Sequence, residues 1–190
     1  MSANKDLQKA AQCHPLRTSD LVQIALCAVL LTVCAWIAIP FPIPFTLQTL
    51  ALFLILCTLG GRKGLYAVTV YLFLGLAGLP VFSGFQGGIG VLLGASGGYP
   101  MGFLAAASIY WLVTAKVGSM LSARAVACLL GLMACYAIAT VWFLLVYAPT
   151  TTPVTLWAAL GSCVLPFLLP DLVKLGLALA LSRRLRPYLN

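Results

Sequence analysis

Six apolar runs, several of them about twenty residues long, dominate this chain, and that is the length at which an α-helix crosses a bilayer core. They extend from Leu21 to Ile39, Thr46 to Leu59, Leu65 to Leu79, Tyr99 to Val117, Ala125 to Tyr147 and Trp157 to Leu181. A membrane barrel would need short alternating segments, and the sequence has none. Of 190 residues, 63% are hydrophobic and only 7% are charged, whereas soluble domains carry about a quarter charged residues. The expectation is an all-α integral membrane protein, a compact bundle of six transmembrane helices. A polar N-terminal tail covers 1–19, the membrane domain 20–186 and a C-terminal tail 187–190. Nothing at the N-terminus reads as a cleaved signal. Pro166 and Pro170 fall inside the sixth run, so a helix there is expected to bend or start late.

Charge orients the bundle. Lys5, Lys9 and Arg17 precede the first run, Arg62 and Lys63 follow the second, Lys116 and Arg124 bracket the connection after the fourth, and Arg183, Arg184 and Arg186 follow the sixth. Pro40–Phe45, Pro80–Gly98 and Ala148–Val154 contain neither Lys nor Arg. Positive flanks remain in the cytoplasm, which puts both termini inside and the three bare connections outside; the expected location is the cytoplasmic membrane of a bacterium. The formal net charge of +8 then reports topology and contact with anionic lipid, not nucleic-acid binding.

Catalytic chemistry is scarce. The single histidine, His14, lies in the polar tail, and only three acidic residues occur, two of them near the N-terminus. Cys27, Cys34, Cys57, Cys128, Cys135 and Cys163 fall within the runs without the close Cys and His spacing of a zinc site, so they read as small packing residues. No catalytic residue, metal or cofactor is expected, and the protein is not expected to be an enzyme.

Asp171 and Lys174 are, on this reading, the only charges deep within the apolar runs. Ions in hydrocarbon are costly unless they are paired or face a polar cavity, which marks them as candidate functional residues. Their spacing sets both heads on one helix face, where each compensates the other. From the residues alone two readings stand: a binding site for a small neutral or anionic ligand, and an ion pair that locks helix packing. Buried pairs add little stability over apolar packing, which favours the first.

The outward connections carry the remaining signal. Pro40, Pro42 and Pro44 make the first one rigid and extended, Thr46 can cap the second helix, and Gln48 falls in that helix's first turn. The glycine-dense stretch from Gly84 to Gly102 lacks the Lys-Ser/Thr of a phosphate loop. Its apolar members Ile89, Val91, Leu92 and Leu93 argue for a loop that folds inward as a lid, against the alternative of a flexible surface loop.

Four strings, taken in order, resemble the BioY family, the biotin-binding S components of energy-coupling factor (ECF) vitamin transporters. They are Pro44-Phe45-Thr46-Leu47-Gln48-Thr49-Leu50, the run from Tyr71 to Phe82, Gly97-Gly98-Tyr99, and Pro170-Asp171-Leu172-Val173-Lys174. The resemblance extends from about Leu21 to Leu181. It implies a six-helix fold with a ligand pocket near the outer face and uptake of biotin, driven by a separate ATP-hydrolysing module. Carried over by position, it implies that Asp171, Lys174, Gln48, Gly98 and Tyr99 bind substrate. Phe82 and Trp36 are candidates to wall the apolar ring. Some members carry an arginine near position 86, where this chain has Gln86.

The resemblance also implies partners: biotin, a coupling transmembrane subunit, ABC ATPases and the lipid bilayer. The first helix of such proteins presents an Ala-x-x-x-Ala surface to the coupling subunit, and here that register holds Ala25, Ala28 and Thr32. Two alternatives remain at this stage. One is a biotin transporter, alone or as a homo-oligomer, without a dedicated ATPase; the other is a membrane enzyme or assembly factor with a lipid-like substrate.

Overall fold

The computed structural model describes residues 17–39, 43–147 and 155–189, with side chains described up to 146 and 185 in the last two stretches. The polar tail with His14, the prolines at 40 and 42, and the connection Ala148–Val154 lie outside these. Helix α1 (Thr18–Trp36) leads into a short antiparallel hairpin, β1 (Ala38–Ile39) and β2 (Phe45–Thr46). Then come α2 (Gln48–Leu59) and α3 (Gly61–Leu76), a 3-10 turn at Ser83–Phe85, and the single-turn α4 (Ile89–Leu92). Helices α5 (Gly98–Val117) and α6 (Leu121–Trp142) follow, and α6 runs on as a π-turn at Phe143–Tyr147. The last two helices are α7 (Leu156–Cys163) and α8 (Leu165–Leu189).

Helix α2 is the centre of the bundle. Almost every side chain on it is buried, and it touches α8, α3, α1 and α5. A helix apolar on all sides is one that other helices surround. Around it, α1 packs on α3, α3 on α5, and α5 on α6. The last pair is very close: a Cβ at Gly98 would lie 2.7 Å from Ala139 Cα, and one at Gly102 would lie 2.6 Å from Cys135 Sγ. Small residues let helix backbones approach in a membrane, where packing supplies most of the association energy. The outward faces are apolar too, with Leu145 72% and Val173 71% exposed, a pattern that suits lipid.

Among the described residues four helices are long and apolar enough to cross a bilayer: Thr18–Trp36, Gly98–Val117, Leu121–Val146 and the paired Leu156–Leu185. The sequence count was six. Helix α2 has 12 residues and α3 has 16, so at about 1.5 Å per residue neither reaches across a core of about 30 Å by itself. The sixth run is broken, as its prolines imply. At Val164 the backbone leaves helical geometry (φ −122°, ψ −55°), and Pro166 sits in the first turn of α8, where it needs no N–H partner.

Two expectations need correction. Arg124 belongs to no connection: α6 begins at Leu121, which turns Arg124 inward to 8% exposure, its Nη1 3.4 Å from the Cys57 carbonyl. Asp171 and Lys174 are therefore not the only charges inside the bundle. The glycine-dense connection is also only partly inward. Because α4 forms a helical turn, Val91 and Leu92 face the protein while Ile89 and Leu93, four residues apart, share the outer face.

Candidate binding site

The broken last helix sets the site. After Val164, the Phe167 N–H turns to the Val164 carbonyl at 3.1 Å, and the Cys163 carbonyl accepts the hydroxyl of Tyr99 on α5. One turn further on, Asp171 and Lys174 lie on the face of α8 that packs on α2. Lys174 Nζ is 2.8 Å from Asp171 Oδ1, and the two residues are 7% and 2% exposed.

Neighbouring elements complete the pair. Thr49, in the first turn of α2, donates to Asp171 Oδ1 at 2.8 Å and accepts from Lys174 at 3.0 Å. Tyr136, in the middle of α6, donates its hydroxyl to Asp171 Oδ2 at 2.8 Å. Lys174 also donates to the Thr46 carbonyl at 2.7 Å and lies 4.1 Å from the centre of the Phe45 ring. A buried ion pair persists only when further hydrogen bonds satisfy its remaining lone pairs and protons, and here they do so from α2, α6 and the hairpin.

A cavity of about 50 Å³ opens beside these groups. Asp171, Lys174, Thr49 and Gln48 give it a polar floor, and Tyr71, Phe82, Tyr99, Phe103 and Phe167 wall it. Phe167 stacks on Phe45 with ring centres 6.0 Å apart and meets Tyr99 at 5.9 Å. Phe82 stands edge-on to Tyr71 at 5.6 Å, and the Tyr71 hydroxyl donates to the Val81 carbonyl at 3.2 Å. Gln48 Nε2 is buried with no hydrogen-bond partner within 3.5 Å, and the Tyr71 hydroxyl is the polar group nearby. Convergent polar groups inside an aromatic wall are how small-ligand sites are built. Among the described residues no group of three His, Cys, Asp or Glu side chains could hold a metal.

Five of the candidate substrate residues (Asp171, Lys174, Gln48, Tyr99 and Phe82) therefore line one cavity. Gly98 adjoins it, and a Cβ there would lie 2.7 Å from Ala139 Cα and Trp142 Cβ of α6. Trp36 and Gln86 are not in its wall. The Trp36 indole donates to the Pro80 carbonyl at 2.8 Å and its ring lies 4.9 Å from Phe85, while Gln86 is exposed and bridges Phe82 through its backbone.

On α1 the three coupling-surface candidates divide. Ala25 is exposed, but Ala28 and Thr32 are buried at 2% and 8%, the Thr32 hydroxyl bonded back to the Ala28 carbonyl at 2.9 Å. That places Ala28 and Thr32 on the inner face of α1, against this chain's own helices, and leaves Ala25 to face outward. Sequence reasoning passed over Thr49, Tyr71, Tyr136, Phe45 and Phe167. Thr49 and Phe45 sit within the first of the four strings, whereas nothing around Tyr136 separates it from a packing residue.

Comparison with known proteins finds related sequences and a related fold. The probable biotin transporter BioY of Pyrococcus horikoshii is 34% identical over 172 residues, which cover 90% of this chain and 98% of that protein. The biotin transporter BioY of Thermotoga maritima is 44% identical over 98 residues, 51% of this chain and 58% of that protein's length. The fold is that of a crystal structure, at 2.1 Å, of the S-component for biotin from an ECF-type ABC transporter. The TM-score is 0.79 at 24% identity, covering 91% of this chain and 95% of the other. The BioY family pattern itself matches residues 5–190, and with that match running through α1 to α8 the chain belongs to the BioY family.

Proposed function

We propose that the protein takes up biotin across the cytoplasmic membrane, as the substrate-binding membrane subunit of an ECF-type transporter. One observation carries the reading: a buried carboxylate, Asp171, and an unpartnered amide, Gln48 Nε2, meet in a single aromatic-walled cavity. Biotin presents a planar ureido group with N–H donors beside a carbonyl, a fused apolar ring and a carboxylate tail. Asp171 accepts a ureido N–H, Gln48 donates to the carbonyl, and Phe82, Tyr99 and Phe167 enclose the ring. Lys174 neutralises Asp171 and reaches a ligand oxygen only by giving up one of its protein acceptors. The ligand is substrate, and no cofactor is invoked.

Six crossings with both termini in the cytoplasm fit the distribution of Lys and Arg. The cavity then faces outward, since Pro44, Ser83 and Ser96 in its lining come from the connections that lack positive charge. At about 50 Å³ it must widen to admit biotin, and the hairpin and α4 are the segments placed to yield. Transport is completed by a coupling subunit and ABC ATPases, a reading supported by the likeness to the S-component for biotin from an ECF-type ABC transporter. Biotin uptake by cells lacking their own transporter tests this. It is expected to require both this chain and an ECF module, and full uptake by the chain alone would overturn the subunit role.

A further inference from the structure

A carboxylate has four lone-pair sites, and three of those on Asp171 are occupied by protein donors. Oδ1 accepts from Thr49 at 2.8 Å and Lys174 at 2.8 Å, while Oδ2 accepts from Tyr136 at 2.8 Å. The three N–H groups of Lys174 are likewise placed, on Asp171, on Thr49 at 3.0 Å and on the Thr46 carbonyl at 2.7 Å. What remains unmatched in this part of the cavity wall is one lone pair on Asp171 Oδ2 and the Nε2 of Gln48. An acceptor and a donor are left over together, which is the complement of an N–H beside a carbonyl.

The orientation of that last lone pair decides whether it can be used. A carboxyl group turns about a broad, weakly preferred torsion, so anchors on Oδ1 alone leave its plane free to tilt. The second anchor comes from a different helix. Tyr136 projects from α6, is 3% exposed, and is absent from the cavity wall, so it reaches a ligand only through Asp171.

We infer that Tyr136 is a positioning residue for ligand recognition: its hydroxyl holds Asp171 Oδ2 so that the remaining lone pair of that oxygen meets an N–H of the ligand. This rests on the biotin reading above. It makes α6 part of the recognition apparatus, although α6 contributes no side chain to the cavity.

The test is a cycle between protein and ligand, using Tyr136→Phe and biotin methylated on one or the other ureido nitrogen. Tyr136→Phe is expected to weaken biotin roughly tenfold, the loss typical of a hydrogen bond to a charged group. For the methylated analogue that no longer offers its N–H to Asp171, the same change is expected to cost less than about twofold, since no aimed bond is left to lose. Equal losses for biotin and both analogues would show a merely structural hydroxyl and overturn the inference, as would undiminished biotin affinity. Failure of the unaltered protein to bind biotin would instead defeat the underlying reading. Should Tyr136→Phe not fold, the same cycle is run with Tyr136→Met, which also lacks the hydroxyl. The same selective loss for biotin is expected, and equal losses for biotin and both analogues would overturn the inference.

Discussion

Lys174 donates to the carbonyl of Thr46 at 2.7 Å, across 128 residues of sequence. The bond ties the last helix to the end of the hairpin, and its donor is the same ammonium that neutralises Asp171. Position of the hairpin and charge balance at Asp171 are thereby linked through one side chain. A ligand oxygen that drew Lys174 away from Thr46 would loosen the hairpin as it bound.

That linkage separates site from scaffold. Asp171→Asn is expected to weaken biotin by about 1.5–3 kcal/mol and, because it strips the buried Lys174 of its counter-ion, to lower the unfolding temperature as well. Were the pair only structural, each single change would lower stability and leave affinity untouched. Combining Asp171→Asn with Lys174→Met is expected to leave a stable protein that does not bind. Thermal unfolding and biotin binding on the singles and the double decide it, and a stable double mutant with undiminished affinity refutes the site.

Gln48 gives the opposite signature. Its Nε2 is buried without a partner, at a cost of about 1–3 kcal/mol to the folded protein. Gln48→Met, of similar shape, is expected to raise the unfolding temperature while lowering biotin affinity. A variant that loses stability and keeps its affinity would assign Gln48 to packing.

The intramembrane charges were legible because Asp and Lys within an apolar run have no cheap structural role. Their partners were not. Thr49 and Tyr136 lie 122 and 35 residues from Asp171 and look, locally, like ordinary helix residues. Only the packing of α2 and α6 on α8 gives them a role. Trp36 misled for a related reason: an aromatic at the outer end of a span suggests a ligand wall, but its indole is taken by the Pro80 carbonyl. Arg124 misled because the start of α6 cannot be placed to within a turn from hydropathy, and one turn separates a solvated arginine from a buried one.

Close packing of α5 on α6 makes Gly98 a support for the site. A Cβ there would lie 2.7 Å from Ala139 Cα and Trp142 Cβ. Gly98→Ala is expected to destabilise by about 1–3 kcal/mol, the usual cost of overpacking, and to weaken biotin because Tyr99 follows directly. Unchanged thermal unfolding would show that the two helices can separate freely.

Orientation is checked by thiol labelling in sealed vesicles. Gly90, where a side chain would meet nothing within 4 Å, serves for the outer side, and Arg62 for the inner. Gly90→Cys should react with an impermeant reagent only from outside and Arg62→Cys only from inside. Labelling of Gly90→Cys solely from the cytoplasm reverses the topology.

Binding of radiolabelled biotin to the purified protein bears most directly on the proposed function. Saturable binding at one site per chain is expected, displaced by unlabelled biotin and greatly weakened by Asp171→Asn. Absence of biotin binding, or saturable binding of an unrelated vitamin that biotin does not displace, would contradict it.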